Sequence, residues 1–178
     1  MIVNVCKIEV VIIMSDKRRD LMSEISETFN LAIKVQEEFL KSGPFPELSL
    51  TEVHVIEAVS KEKFPTMTNV ARRLQVTVGT LTTNVKSIMK KGFLEKEQYE
   101  KDHRFTILRI TSKGYEALAY HDRFHRELSA LYEERISDDQ FNWVLDTFEK
   151  VIVGLKDYQE NLRQKTIKKS IKSSSRGR

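Results

Sequence analysis

The side chains best placed to do chemistry lie along one short segment. Leu81, Val85, Ile88 and Met89 recur at three-and-four spacing and can turn to one side of a helix. That assignment leaves Thr77, Gly79, Thr80, Thr83, Lys86, Ser87 and Lys90 on the other side. Small hydroxyls can exchange hydrogen bonds with base edges, and lysines neutralise phosphate. Hydroxyls at the front of a helix and amines toward its end therefore suit insertion into a DNA major groove. A solvated helix face has a similar composition, so the surroundings must decide. A second set is imidazole: His121 and His125 stand four apart, a spacing at which two rings can share a metal ion. His54, with Glu37 or Glu38, would complete a tetrahedral set. The same histidines can equally cap, hydrogen-bond or lie at the surface. No glycine-rich phosphate loop or nucleophile-base set is recognisable, so neither an enzyme nor a cofactor is expected.

The elements around the hydroxyl-amine face favour DNA. Met67, Val70, Ala71 and Leu74 form the inward face of a preceding short helix, and Gln75 and Val76 make a turn. Thr77 is a good N-cap for the next helix, with Val78 near the edge of its inward stripe. Lys91-Gly92 stops that helix. Two β-rich runs follow, 93–97 and 105–111, separated by the charged stretch 98–104. In the second run Leu108 and Ile110 face inward with Arg109 outward. Two helices and a charged hairpin make a winged helix-turn-helix, a mainly α fold with a small β wing. Upstream, Ser49 and Glu52 form a capping box for a supporting helix with Leu50, Val53, Ile56 and Val59 inward. It ends before Phe64-Pro65. A first helix from about Lys17 to Lys41, capped by Ser15 or Asp16, carries Leu21, Ile25, Phe29, Ala32, Ile33, Gln36 and Leu40. After the wing, a helix runs to about Arg135 with Leu118, Phe124, Leu128 and Leu131 packing. Ser137 and Gln140 then cap a last helix whose apolar repeat, from Phe141 to Leu162, reads as a helix-helix seam or an internal bundle helix.

Composition narrows the class further. A chain of 178 residues that is 40% hydrophobic can bury one core, and only 8% aromatic residues argue against a sandwich or barrel. The net charge of +4 invites a nucleic-acid reading until it is located. Arg163, Lys165, Lys168, Lys169, Lys172, Arg176 and Arg178 follow Leu162 with no acid among them; without them 23 basic residues face 26 acidic ones, so residues 1–162 are about −3. The DNA reading therefore rests on local architecture, and 163–178 reads as a disordered basic tail. The lone Cys6 cannot form an internal disulfide, in keeping with a reducing cytoplasm, and no run approaches the ~20 apolar residues of a membrane span. Residues 1–14 are apolar and β-branched; a strand or arm is possible, and the preferred reading is an extension upstream of a start at Met14.

Taken together, 66–111 and its flanking helices resemble the multiple-antibiotic-resistance regulator (MarR) family, over about Arg19 to Leu162. The wing tip of that family is usually Asp-Arg-Arg; here it is Asp102-His103-Arg104, and Ile110-Thr111-Ser112-Lys113-Gly114 is similar to its Leu-Thr-x-x-Gly signature. The resemblance implies a homodimer on a palindromic operator in double-stranded DNA. Residues 49–111 would bind DNA, and 15–42 and 112–162 would dimerise. Arg104 would enter the minor groove, oriented by Asp102, with His103 in place of a contacting arginine. Three further segments, Val76-Thr77-Val78-Gly79-Thr80-Leu81-Thr82-Thr83, Glu52-Val53-His54-Val55-Ile56 and His121-Asp122-Arg123-Phe124-His125, resemble the branch that represses fatty-acid-synthesis genes. That likeness implies acyl-acyl carrier protein as corepressor. An acyl chain needs an apolar slot, for which Phe29, Ile33, Leu50, Val53, Leu118 and Phe124 are candidates, though all six serve equally as core. An acidic carrier would favour a basic rim, such as Lys17, Arg18 and Arg19 or the tail. The histidines also resemble the zinc-sensing branch of the family. Outside DNA binding, the remaining alternative is a protein-interaction module.

Overall fold

The computed structural model describes residues 16–100 and 105–174. The elements in order are α1 (Asp16–Ser42), α2 (Leu50–Ser60), α3 (Met67–Arg73), α4 (Val78–Lys90), β1 (Leu94–Gln98), β2 (Thr106–Ile110), α5 (Ser112–Glu133) and α6 (Asp138–Ser174). Mostly helical with one two-stranded antiparallel sheet, this is the architecture expected from the sequence. The chain divides into two compact units, the first ending at His125 and the second beginning at Arg126.

In the first unit, hydroxyl caps set the helix starts. Ser49 and Glu52 form the reciprocal box at α2, and Thr66 and Thr77 accept the third-residue N–H groups of α3 and α4. Each such cap contributes about 1 kcal/mol. Val53, Ile56, Val70, Leu81, Val85, Ile88 and Phe93 are fully or almost fully buried and form the centre of the core. Helix α2 buries Val55 and Ala58 as well, so it is enclosed on more sides than its Leu50, Val53, Ile56, Val59 stripe predicts; Leu50 itself is only half-buried. The turn between α3 and α4 places Gln75 at φ 56°, left-handed for a residue other than glycine. Gly92, at φ 83°, ends α4 in the conformation its position requires.

The sheet pairs Leu94 with Ile110, Lys96 with Leu108 and Gln98 with Thr106. Leu94, Leu108 and Ile110 face the core, and Arg109 points outward to pair with Glu97 at 2.6 Å. A two-stranded ribbon is marginal alone. Here its second strand is also held by Leu108 N–H donating to Pro65 O at 2.9 Å and by a bridge between Thr66 and Ile107. Phe64 adds edge contacts to Tyr99 and Phe105. Gly114 lets the start of α5 approach the wing closely: a Cβ there would lie 2.3 Å from Phe93 O. Phe39 of α1 stacks on Tyr120 and packs against Phe124.

Only part of the α1 stripe is covered. Gln36 and Leu40 are buried and Ile25 and Ala32 half-buried, but Leu21, Phe29 and Ile33 are exposed. In the second unit, α6 exposes Phe141, Trp143, Leu145, Phe148, Val151, Ile152, Leu155, Tyr158 and Leu162. Ser137 and Gln140 cap it as expected. The expected disordered tail begins instead as helix: α6 continues to Ser174, so 163–174 is helical, and 175–178 lie outside the described residues. Lysine, arginine and glutamine are good helix formers, and no glycine or proline interrupts them before Gly177. Among the described residues, no helix is long and apolar enough to cross a membrane.

Candidate nucleic-acid interface

Helix α4 is held by its apolar side. Leu81, Val85 and Ile88 are buried against the core, and α4 packs on both α2 and α3. Thr77, Gly79, Thr80, Thr83, Lys86 and Lys90 are thereby left exposed, as the spacing predicts. Thr77 Oγ1 accepts from Thr80 N–H at 3.1 Å, and the two hydroxyls lie 2.9 Å apart. Thr83 Oγ1 lies 3.5 Å from Gly79 O, a distance that leaves its hydroxyl largely available. The front of the helix therefore offers hydroxyls and its flank two amines.

Two residues depart from the sequence reading. Ser87 is not on the groove face: it turns inward and donates to Glu52 Oε1 at 2.6 Å. The turn beneath α4 contains a buried carboxylate that competes for the hydroxyl. Val78, expected at the edge of the inward stripe, is instead 44% exposed, and Val76 in the turn is 40% exposed. Val78 reads as core from its helical spacing, whereas Val76 lies in the turn, where the sequence already places it. Their methyls sit beside the exposed threonines in the chain and are suited to thymine methyl groups. Asp102, His103 and Arg104 lie outside the described residues.

Behind α4, Glu52 is 5% exposed. Its carboxylate accepts from Ser49 N–H at 2.8 Å, from Ser87 and from Lys91 Nζ at 2.6 and 2.7 Å. Burial pushes this carboxyl up, but the hydrogen bonds from Lys91, Ser49 and Ser87 and the Lys91 charge outweigh it, and the group is held below the ordinary carboxylate value.

A second constellation joins α2 to α5. The ligand-capable atoms of His54, Glu57 and His121 lie within 4.8 Å of one another, and His125 Nε2 is 3.1 Å from His121 Nε2. Glu57 takes the position expected for Glu37 or Glu38, both of which are exposed on α1. Burial, reinforced by His125 and His54, pushes His121 down to about 4, so this ring is neutral at physiological pH. His54 is likewise lowered by burial. The six candidate acyl-slot residues are not equivalent. Val53, Leu118 and Phe124 are buried in packed surroundings, Leu50 is half-buried, and Phe29 and Ile33 are exposed on α1.

A supporting helix, a helix pair joined by a tight turn and a two-stranded sheet stitched to that pair make a winged helix-turn-helix, the fold shared with solved transcriptional regulators. No family model matches the chain. FabT of Streptococcus pneumoniae, solved in complex with DNA, shares the fold over 78% of this chain and 97% of its own, with a TM-score of 0.73 and 26% identity. A MarR/EmrR family transcriptional regulator from Acinetobacter sp. ADP1 matches over 78% of this chain and 96% of its own at a TM-score of 0.63; at 15% identity it speaks for the fold alone. The HTH-type transcriptional regulator YhjH of Bacillus subtilis is 23% identical over 88 residues, spanning 49% of this chain and half the length of that relative.

Proposed function

We propose that this protein is a DNA-binding transcriptional regulator that seats α4 in the major groove of a palindromic operator as a homodimer. The observation that carries the reading is the exposed row Gly79, Thr80, Thr83, Lys86 and Lys90 on a helix anchored through its opposite face. The wing follows the minor groove, with Arg104, which falls between its two strands in the sequence, as the contacting residue. The exposed apolar residues of α1 and of α6 supply the dimer contacts, and the two recognition helices then lie about 34 Å apart. The likeness to FabT and to the fatty-acid branch favours repression of lipid-synthesis genes, with acyl-acyl carrier protein tightening the complex. An acyl chain would find Phe29 and Ile33 accessible in the single chain, while Val53, Leu118 and Phe124 would have to part to admit it.

A second reading of the effector has its own support in the histidine cluster. His54, Glu57 and His121, with His125 adjacent, form a nitrogen-rich donor set that fits zinc, and a neutral His121 needs no deprotonation to bind it. An open groove lined in part by His54 and Glu57 gives access. Bound metal would cross-link α2 to α5 and so bias the support on which α4 rests. One titration separates the readings. With a fluorescently labelled duplex selected by the protein, acyl-acyl carrier protein should tighten binding and a chelator should leave it unchanged if the lipid reading holds. If zinc alone moves the curve, and His121→Ala with His125→Ala removes that response, the metal reading replaces it. Failure to select any duplex, or a monomer at micromolar concentration, would defeat the regulator reading itself.

A further inference from the structure

The helix that carries the base-facing hydroxyls is fastened at its other end. Thr80 and Thr83 stand near the start of α4, whereas Ser87 and Lys91, one turn apart on a single face, bind Glu52 from its end. Apolar packing by Leu81, Val85 and Ile88 holds α4 against its neighbours, but as a non-directional force it defines the exact rotation and axial position of the helix less sharply than hydrogen bonds do. Directional bonds from two donors one turn apart fix both its rotation and its position along the axis. The fastening continues beyond Glu52. Lys91 Nζ also donates to Glu47 O at 2.7 Å, and Lys113 Nζ donates to Lys91 O at 3.1 Å and to Glu47 Oε1 at 2.9 Å. The end of α4 is thereby tied to the first turn of α5. Lys113 is itself held over the Phe93 ring, 4.1 Å from its centroid.

We infer that Glu52 is a positioning residue for α4 that sets how strictly the dimer measures the spacing between operator half-sites. The inference rests on the proposed operator-binding role. Its physical basis is leverage. Thr80 and Thr83 lie about 9–14 Å along α4 from the midpoint of the Ser87 and Lys91 donors, so a swing of about 10° about the Glu52 end moves them by about 2 Å, and the swings of the two protomers together cover one base-pair step of about 3.4 Å. With the clamp intact, an operator whose half-sites are one base pair too close or too far cannot satisfy both helices. Without it, each α4 can swing and roll toward its half-site, which a one-base-pair change also turns by about 35° about the DNA axis, and part of the mismatch is absorbed.

The test uses the full-length chain and a duplex recovered by selection from random-sequence DNA, together with duplexes in which the half-site spacing is changed by one base pair. Glu52→Gln removes the charge that holds Lys91. Ser87→Ala removes one bond from α4 without touching the Ser49 cap, and so keeps the test alive if Glu52→Gln does not fold. Variants are compared at a temperature where circular dichroism shows them fully folded. The wild type should lose about tenfold or more on changing the spacing. Both variants should lose less than about threefold, with the salt dependence of binding unchanged, because no phosphate contact is removed. A merely structural Glu52 would instead weaken binding to every spacing by the same factor, and that result overturns the inference. Wild-type protein that selects no paired half-sites would defeat the operator reading, and this inference with it.

Discussion

Replacing Gly114 by alanine sets two effects of opposite sign against each other. Alanine favours a helix over glycine by up to about 1 kcal/mol, so a glycine near the start of α5 with open space beside it would be improved. Here the added Cβ would sit 2.3 Å from Phe93 O and 2.7 Å from Ile110 Cγ2. The isoleucine can rotate. The carbonyl cannot, because Phe93 is fully buried and its oxygen accepts Thr111 N–H at 3.2 Å. Relief needs about 1 Å of backbone movement between α5 and the wing, costing about 1–3 kcal/mol for overpacking and about 1 kcal/mol for the weakened hydrogen bond. The net loss should be about 1–3 kcal/mol. Urea denaturation at fixed protein concentration should show a lower midpoint with an unchanged slope. Gly154→Ala in α6, where nothing lies within 4 Å of the added carbon, serves as the control and should stabilise by up to about 1 kcal/mol. Gly114→Ala as stable as wild type, or more so, would refute the close-approach argument.

Other outcomes follow from the same geometry. Thr80→Val or Thr83→Val keeps volume and loses a hydroxyl, so discrimination between operator variants should fall by about 1–3 kcal/mol per lost base contact, measured by competition binding. Lys90→Ala should weaken all duplexes alike and reduce the salt slope by about one, whereas Arg104→Ala should cost more on sites with a narrow minor groove; equal losses would contradict these roles. His121 stays neutral in the folded chain down to about pH 4, while the unfolded chain takes up that proton near 6.5. Stability of chelator-treated protein should therefore be full above about pH 6.5 and fall by roughly 3 kcal/mol toward pH 4, and His121→Gln should flatten that fall. Gly92→Ala, at φ 83° with open space around it, should cost about 1 kcal/mol from backbone conformation alone in the same urea assay.

What could be read from the sequence was whatever is encoded locally. Thr77, Ser49 and Glu52 announce helix starts because a cap needs only a hydroxyl or carboxylate within three residues. Leu81, Val85 and Ile88 announce a buried face through their spacing. The double use of Glu52 was hidden, since Lys91 lies 39 residues away and a polar residue such as Ser87 at a stripe's edge looks the same whether it meets water or a buried carboxylate. Glu57 is no more legible as a neighbour of the histidines, because a carboxylate four residues before Lys61 in the sequence looks like half of a solvated surface pair. Residues 163–174 look disordered by composition, whereas their individual types favour helix and extend one already begun.

The stitching of β2 to Pro65 and Thr66 has a mechanical consequence. The second strand of the wing is hydrogen-bonded to the two residues that lead into α3, so hairpin and helix pair share a backbone seam. Any force applied at the tip is delivered to the root of α3 rather than absorbed by a loose ribbon. Deuterium uptake at the amides of Leu108 and Val70 should accordingly follow one common opening, and contact with the minor groove would be felt in the major groove as a shift of a single solid piece.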